Sequence, residues 1–227
     1  MLKNERRTTR PSDPQSLVAL VAAQRHRRSR RGILASILGA VLAAIVGLSP
    51  VAAAPAAAAE TALSCSLWSS SSTYYSVLNP GGSRKVIGID RGLLTNRARA
   101  ILSDYHGDPN QLWVDRVCLV PGYGYAFHQF KNAKSGLCLD KSLDSPEANG
   151  NIVHQYTCAT TLESGYNQLW RPWTRGGSSG NWRQLINVHS QRCLDIHNRS
   201  LSNGAGLVQW DCAPDSAPSN TQQWNIV

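Results

Sequence analysis

Two pairs of carboxylates stand four residues apart in the chain, Asp104 with Asp108 and Asp140 with Asp144. Glycoside hydrolysis is the chemistry such pairs could serve. It needs two carboxyls facing a bound sugar at a defined separation, one of them kept protonated as the general acid. Both pairs fall in segments rich in Asp, Gly, Ser and Pro, where an Asp most often bonds its own backbone. The expectation is therefore turns, not an active site. The histidines at 26, 106, 128, 154, 189 and 197 are scattered, and His128, His154 and His189 share no ligand spacing. No Cys-x-x-Cys, His-Glu-x-x-His or phosphate loop is present. The residues point to no enzyme, no cofactor and no metal site.

The elements that must position these groups show themselves by repetition. Gln111-Leu112-Trp113 returns as Gln168-Leu169-Trp170 and as Gln222-Gln223-Trp224. Self-similarity at a near-constant period marks a repeated structural unit. Two units align well. "SGLCLDKSLDSPEANGNIVHQYTC" sits over "SQRCLDIHNRSLSNGAGLVQWDC", with Asn132 and Asn187 each six residues before the Cys-Leu-Asp. Each contains Asn-Gly, at 149–150 and 203–204, which favours a tight turn between strands. "AFHQF" and "WRQLINV" mix aromatic and β-branched residues at near-alternate positions, as half-buried strands do. No long 3.6-residue period follows residue 60, so the fold class is all-β. In the first unit "VIGID" (86–90) stands for Cys-Leu-Asp, and Ser103 falls where the others carry an aromatic.

Residues 1–32 are arginine-rich, Ile33 to Leu48 are apolar, and small residues end at Ala59. That order reads as a cleaved secretory signal peptide over 1–59. The 16-residue apolar run is shorter than the roughly 20 residues that a spanning helix needs. "SRRGILA", Ser29 to Ala35, resembles the twin-arginine export motif without its usual Phe and Lys; a plain basic region reads equally well. Residues 1–59 hold nine of the 23 Lys/Arg and two of the 14 Asp/Glu, leaving 14 against 12. The net charge falls from +9 to +2 on cleavage, so no nucleic-acid footprint survives. The expectation is a secreted, extracellular monomer with no membrane contact after cleavage. It has an arm over 60–74 and three units near 75–120, 121–176 and 177–227.

All six cysteines lie beyond residue 60, and an even number in an exported chain reads as disulfides. Six allow fifteen connectivities. Matching positions in matching units pair Cys138 with Cys158 and Cys193 with Cys212, which leaves Cys65 for Cys118. The rival reading, lipid attachment at Cys65 in "ALSC", would leave Cys118 alone.

Three units of Cys-Leu-Asp, Asn-Gly, aromatic-x-Cys and Asn-Gln-x-Trp resemble the ricin-type lectin domain, the Gln-x-Trp repeat family, across about residues 75–227. The resemblance implies a β-trefoil of three four-strand repeats about a pseudo-threefold axis. It makes Trp113, Trp170 and Trp224 core residues. It also implies sugar sites. A sugar needs a flat ring to stack on, a carboxylate accepting from adjacent hydroxyls, and an amide that donates and accepts. In the second unit the resemblance assigns these to Asp140, Tyr156 and Asn167, with Gln168 beside them and His154 where the family has Gln. In the third they fall on Asp195, Trp210 and Gln222, with Thr221 at the amide position, Asn220 one residue earlier, and Val208 in place of the polar residue. The first unit offers Asp90, Asn110 and Gln111 but no platform, so Ser103 should carry no role. His154 by itself reads as a surface polar residue. The reading is a non-catalytic carbohydrate-binding protein whose partner is a glycan or polysaccharide. The alternative is a protein-binding trefoil, such as a hydrolase inhibitor or toxin component, using "YHGDPN" or "VPGYGYAF".

Overall fold

The computed structural model describes residues 62–73, 75–77, 84–144, 147–174, 181–214, 216–217 and 219–226. The proposed leader, with its apolar run 33–48, lies outside them, as does 175–180. Among the described residues no helix is long and apolar enough to cross a membrane.

The described strands fall into an arm strand and three sets of four. β1 (Ser64–Cys65) belongs to the arm. β2 (Tyr75–Val77), β3 (Lys85–Ile89), β4 (Ala100–Asp104) and β5 (Trp113–Leu119) form the first repeat. β6 (Ala126–Asn132), β7 (Cys138–Lys141), β8 (Val153–Tyr156) and β9 (Trp170–Trp173) form the second. β10 (Gln184–Asn187), β11 (Cys193–Ile196), β12 (Leu207–Trp210) and β13 (Trp224–Ile226) form the third. The inner strands of each set make antiparallel hairpins, β3 with β4, β7 with β8 and β11 with β12. The outer strands join the sets through β5–β6, β9–β10 and β13–β2, and with the pairings Thr73–Trp113, His128–Trp170 and Arg183–Trp224 they close a barrel; the three inner hairpins, bridged to one another, form its cap. This is a β-trefoil.

The repeated Gln-x-Trp is explained by the core. Trp113, Trp170 and Trp224 are buried. Each indole N–H donates to a strand carbonyl, that of Ile87 at 3.1 Å, Leu139 at 3.2 Å and Leu194 at 3.1 Å. A buried indole donor without a partner would be costly, so the carbonyl fixes the ring's position. These bonds also fix the register between repeats. Ile87, Leu139 and Leu194 are equivalent, as are Ala100, Val153 and Leu207 behind them, and all pack in one cluster. Asn132 and Asn187 stitch successive repeats together: their side-chain amides donate to Asn110 O at 2.9 Å and Asn167 O at 3.0 Å.

Two features depart from threefold regularity. Lys141 is buried at the position of Ile89 and Ile196, and its ammonium donates to Glu147 Oε1 at 2.6 Å and to His189 Nδ1 at 3.1 Å. The arm does more than lead in. Ser64 and Cys65 pair with Leu119 and Cys118, and Leu63 N donates to Thr160 O at 2.9 Å. Leu63 and Cys65 thereby join a second apolar cluster with Phe127, Leu169, Leu162 and Tyr166. The disulfides are Cys65–Cys118, Cys138–Cys158 and Cys193–Cys212.

Candidate functional site

The register of the hairpins places the candidate residues. Cys138 faces Tyr156 and Asp140 faces His154 across β7 and β8. Cys193 faces Trp210 and Asp195 faces Val208 across β11 and β12. In the first repeat Val86 faces Ser103 and Gly88 faces Ile101. The first repeat's equivalent of the carboxylate is therefore Gly88, not Asp90, which lies in the short helical turn after β3. A side chain at Gly88 would meet Gln111 Cγ at 3.3 Å and Ser103 Oγ at 3.4 Å, so the space is already filled.

In the second repeat the expected residues converge. Asp140, His154, Tyr156, Asn167 and Gln168 line one cleft of about 490 Å³. Asp140 is only 4% exposed and lies on the strand, not in the turn expected from its neighbours. His154 Nε2 donates to its Oδ1 at 3.0 Å, and Gln168 Nε2 donates to its Oδ2 at 2.8 Å. Each oxygen keeps a further lone pair for an incoming donor. Tyr156 beside it is 38% exposed, an aromatic face in solvent above a buried carboxylate. His154 is not a surface residue: it is buried, and it orients the carboxylate. Asn167 spends one N–H on Lys141 O at 2.9 Å, which leaves the other N–H and its carbonyl oxygen.

The third repeat reproduces part of this. Asp195 is buried and Trp210 is 41% exposed. Gln222 Nε2 donates to Asp195 Oδ2 at 2.8 Å. With Val208 facing it, Asp195 has no histidine to meet, and its Oδ1 accepts from the backbone N–H of Ile196 at 2.7 Å. Thr221 is buried at the register of Asn167 and bonds Ser219, while Asn220 stays exposed one residue earlier.

Gln168 and Gln222 are corrected from ligand contacts to positioning residues. Beyond the carboxylate, Gln168 Nε2 donates to Thr157 O at 2.9 Å, and its Oε1 accepts from Ala159 N and Gln129 Nε2, each at 2.8 Å. Gln222 repeats the set with Asp211 O at 3.0 Å, Ala213 N at 2.8 Å and Gln184 Nε2 at 3.1 Å. All four hydrogen-bonding positions of each amide are used within the protein. In the first repeat Gln111 Nε2 turns to Ser103 Oγ at 2.8 Å and Asp104 O at 2.6 Å. Ser103 thus stands in for the missing carboxylate, a role its sequence position did not suggest.

Two further carboxylates are paired outside this cleft. His128 Nδ1 lies 2.7 Å from Asp115 Oδ2, and this bond holds the Asp115 carboxyl below its usual range. Asp104 is likewise lowered by its bond from Lys85. No group of three or more His, Cys, Asp or Glu able to hold a metal ion occurs among the described residues. Gly176 to Gly180 spells Gly-x-Ser-x-Gly, but the run lies outside the described residues, and its chemistry would need a strand before it and a helix after.

A third asparagine turn was missed in the sequence. Asn149 Oδ1 accepts from Asp211 N at 2.8 Å and Asn203 Oδ1 from Asp104 N at 3.0 Å. Asn96 Oδ1 does the same to Thr157 N at 2.9 Å. The two Asn-Gly turns are matched by Asn96-Arg97, hidden because Arg replaces Gly.

The described geometry agrees with comparisons to known proteins. The ricin-type beta-trefoil lectin domain-like family matches residues 118–210 and 166–227. No curated protein matches by sequence search. A designed 3-fold symmetric protein, ThreeFoil, is 27% identical with a TM-score of 0.55, over 69% of this chain and 97% of its own. An exo-beta-1,3-galactanase from Clostridium thermocellum is 26% identical with a TM-score of 0.53, over 68% of this chain but only 30% of the enzyme. The Rhizoctonia solani agglutinin shares the fold at 16% identity and a TM-score of 0.50, over 71% of this chain and 99% of its own. The family match thus covers residues 118–227, the second and third repeats with the end of β5, and the first repeat shares their β-trefoil fold.

Proposed function

We propose that this protein is a secreted, non-catalytic lectin that holds a sugar in the second repeat and a weaker one in the third. One observation carries the reading. A buried carboxylate, held by an amide whose bonds are all used within the protein, lies beside an exposed aromatic ring at matching positions in two repeats. Neither partner of this pair exists in the first repeat, where Gly88 and Ser103 stand instead. A sugar would stack its C–H face on Tyr156 or Trp210. Its vicinal hydroxyls would donate to Asp140 or Asp195, and Asn167 would supply the remaining donor and acceptor. Asp140, fixed by two donors, suits a stationary acceptor better than an acid that must give up a proton. The galactan-degrading enzyme among the similar structures makes galactosyl glycans the first class to try. The three disulfides suit an extracellular setting.

A glycan array with the full chain, beside a folded Asp140→Ala, Asp195→Ala double variant, tests the proposal. Wild type should give clear sugar hits and the double variant none. A double variant that still binds at full strength overturns it. That result would move the ligand to another surface. The aromatic face where Arg171 lies 4.6 Å from the Tyr125 ring and 4.8 Å from the Trp173 ring would then stand as the docking face of a protein-binding trefoil.

A further inference from the structure

The second-repeat cleft has a wall that the third does not, and it is built across repeats. Arg97, from the turn before β4, lines the cleft together with Asp144 and Leu143. Its guanidinium grips Asp144 with two bonds, Nη1 to Oδ2 at 2.8 Å and Nη2 to Oδ1 at 3.2 Å. By hydrogen bonding, Arg97 is equivalent to the two turn glycines. Arg97 N donates to Gln155 O, Gly150 N to Gln209 O and Gly204 N to Leu102 O, at 2.8, 2.9 and 2.8 Å. All three have left-handed backbone, with φ of 69°, 85° and 84°. Only glycine adopts that conformation without strain. The chain therefore keeps a strained arginine at one of three positions where its own other repeats use glycine.

Stability does not explain the choice. Both side chains of the ion pair are mostly exposed, 62% for Arg97 and 55% for Asp144. Exposed pairs of this kind add little, and non-glycine residues held in sparsely populated backbone conformations cluster at ligand sites. The partner is placed by a second local change. Ser142 N bonds Ile152 O, where Asp90 N bonds Arg99 O and His197 N bonds Gly206 O. The turn between β7 and β8 is thus one residue longer than its two counterparts, and Asp144 lies within this longer turn. In the third repeat a side chain at Gly150 would come within 3.8 Å of the Trp210 ring, so the glycine leaves the edge of that platform bare.

Building on the lectin reading, we infer that the Arg97–Asp144 pair is a second subsite that makes the second-repeat cleft select a disaccharide or longer neutral glycan over a single sugar. The first ring occupies Asp140 and Tyr156. The next ring leans on the ion pair, whose unused N–H groups and carboxylate lone pairs face hydroxyls. A neutral ligand fits better than an acidic one. The pair is internally balanced, and Asp140 adds a negative charge to the cleft. The third-repeat site, with no such wall, reads one terminal sugar.

The test isolates the second site in a full-length Asp195→Ala protein. Calorimetric titrations compare D-galactose with β-1,3-galactobiose, and D-xylose with xylobiose. The protein should prefer one disaccharide over its monosaccharide by about tenfold, which is the effect of roughly 1.4 kcal/mol. Arg97→Gly should erase most of that preference while changing monosaccharide affinity far less, and it should melt no lower, since glycine suits the backbone. Asp144→Asn, which keeps Arg97, should reduce the preference in the same direction. Arg97→Gly that keeps the preference, or that weakens both sugars by one factor, overturns the inference. So does a protein that binds mono- and disaccharide equally. If no sugar of either pair binds while the fold is intact, or if adding Asp140→Ala leaves binding unchanged, the lectin reading itself fails.

Discussion

In the barrel, Trp113, Trp170 and Trp224 are interchangeable: each is buried, and each indole donates to the carbonyl of the equivalent strand residue. On the cap, the equivalent triples are Gly88, Asp140 and Asp195, then Ser103, Tyr156 and Trp210, then Arg97, Gly150 and Gly204. No two repeats agree at all three. The inner layer is held alike because every copy fills one shared core, and a change in one copy is felt by the other two. The outer layer is free to diverge because each cleft is closed by its own hairpin and a single neighbouring turn. The glutamine repeated in all three units sits at the boundary. It anchors a carboxylate where there is one, and a serine hydroxyl where there is not.

The largest test of that contrast is Trp170→Ala. Truncating a buried Trp costs about 3–5 kcal/mol, a large part of the roughly 5–15 kcal/mol that stabilises a domain. Chemical denaturation of Trp113→Ala and Trp224→Ala should show losses in the same range. A Trp170→Ala protein that unfolds like wild type would break the equivalence. Asp140→Ala comes next and should abolish binding at the second site. It removes charged hydrogen bonds to the sugar worth about 1.5–3 kcal/mol each, so titration should find no signal from that site. It also orphans the buried donors of His154 and Gln168, so the protein should still unfold cooperatively but with stability lowered by about 1–3 kcal/mol for each donor left unpaired. Asp195→Ala should leave monosaccharide binding at the second site unchanged and shorten retention on a polymeric glycan, since two linked sites reinforce each other through effective concentration. Equal retention would show that the third cleft is silent. Ser103→Ala is the smallest. Losing one hydrogen bond from Gln111 should lower stability by about 0.5–1.5 kcal/mol, with no effect on sugar binding; an unchanged denaturation midpoint would mean that Ser103 is not the stand-in for a carboxylate.

Much of this was legible in the chain because a few residue types cannot be exchanged. Gln-x-Trp survives in all three repeats, and the paired cysteines and Asn-Gly turns in two, so spacing marked three units and two of the disulfides, and the third followed by elimination. What stayed hidden was set by backbone register. "VIGID" places its Asp two residues past the carboxylate position, and the hairpin register together with the indole bond to Ile87 shows that Gly88 is the true equivalent. Asn96-Arg97 did not read as a turn because its left-handed residue is not glycine. His154 read as a surface residue because its partner, Asp140, lies on the neighbouring strand. Gln168 read as a ligand contact because a sequence shows an amide but not that its four bonds are already taken.

The asparagine turns form a closed circuit. The turn of the first repeat clasps Thr157 of the second, that of the second clasps Asp211 of the third, and that of the third returns to Asp104 of the first. β13 and β2 complete the same cycle in the barrel, just as β5 meets β6. A ring of mutual clasps has no end member that can fray first. Cutting away any one repeat opens two of the three clasps at once, so proteolysis should not release a stable pair of repeats. A circular permutant opened at the 121–125 turn, with a linker from β13 to the arm ahead of β1 so that the 65–118 bridge is retained, should rebuild the same circuit.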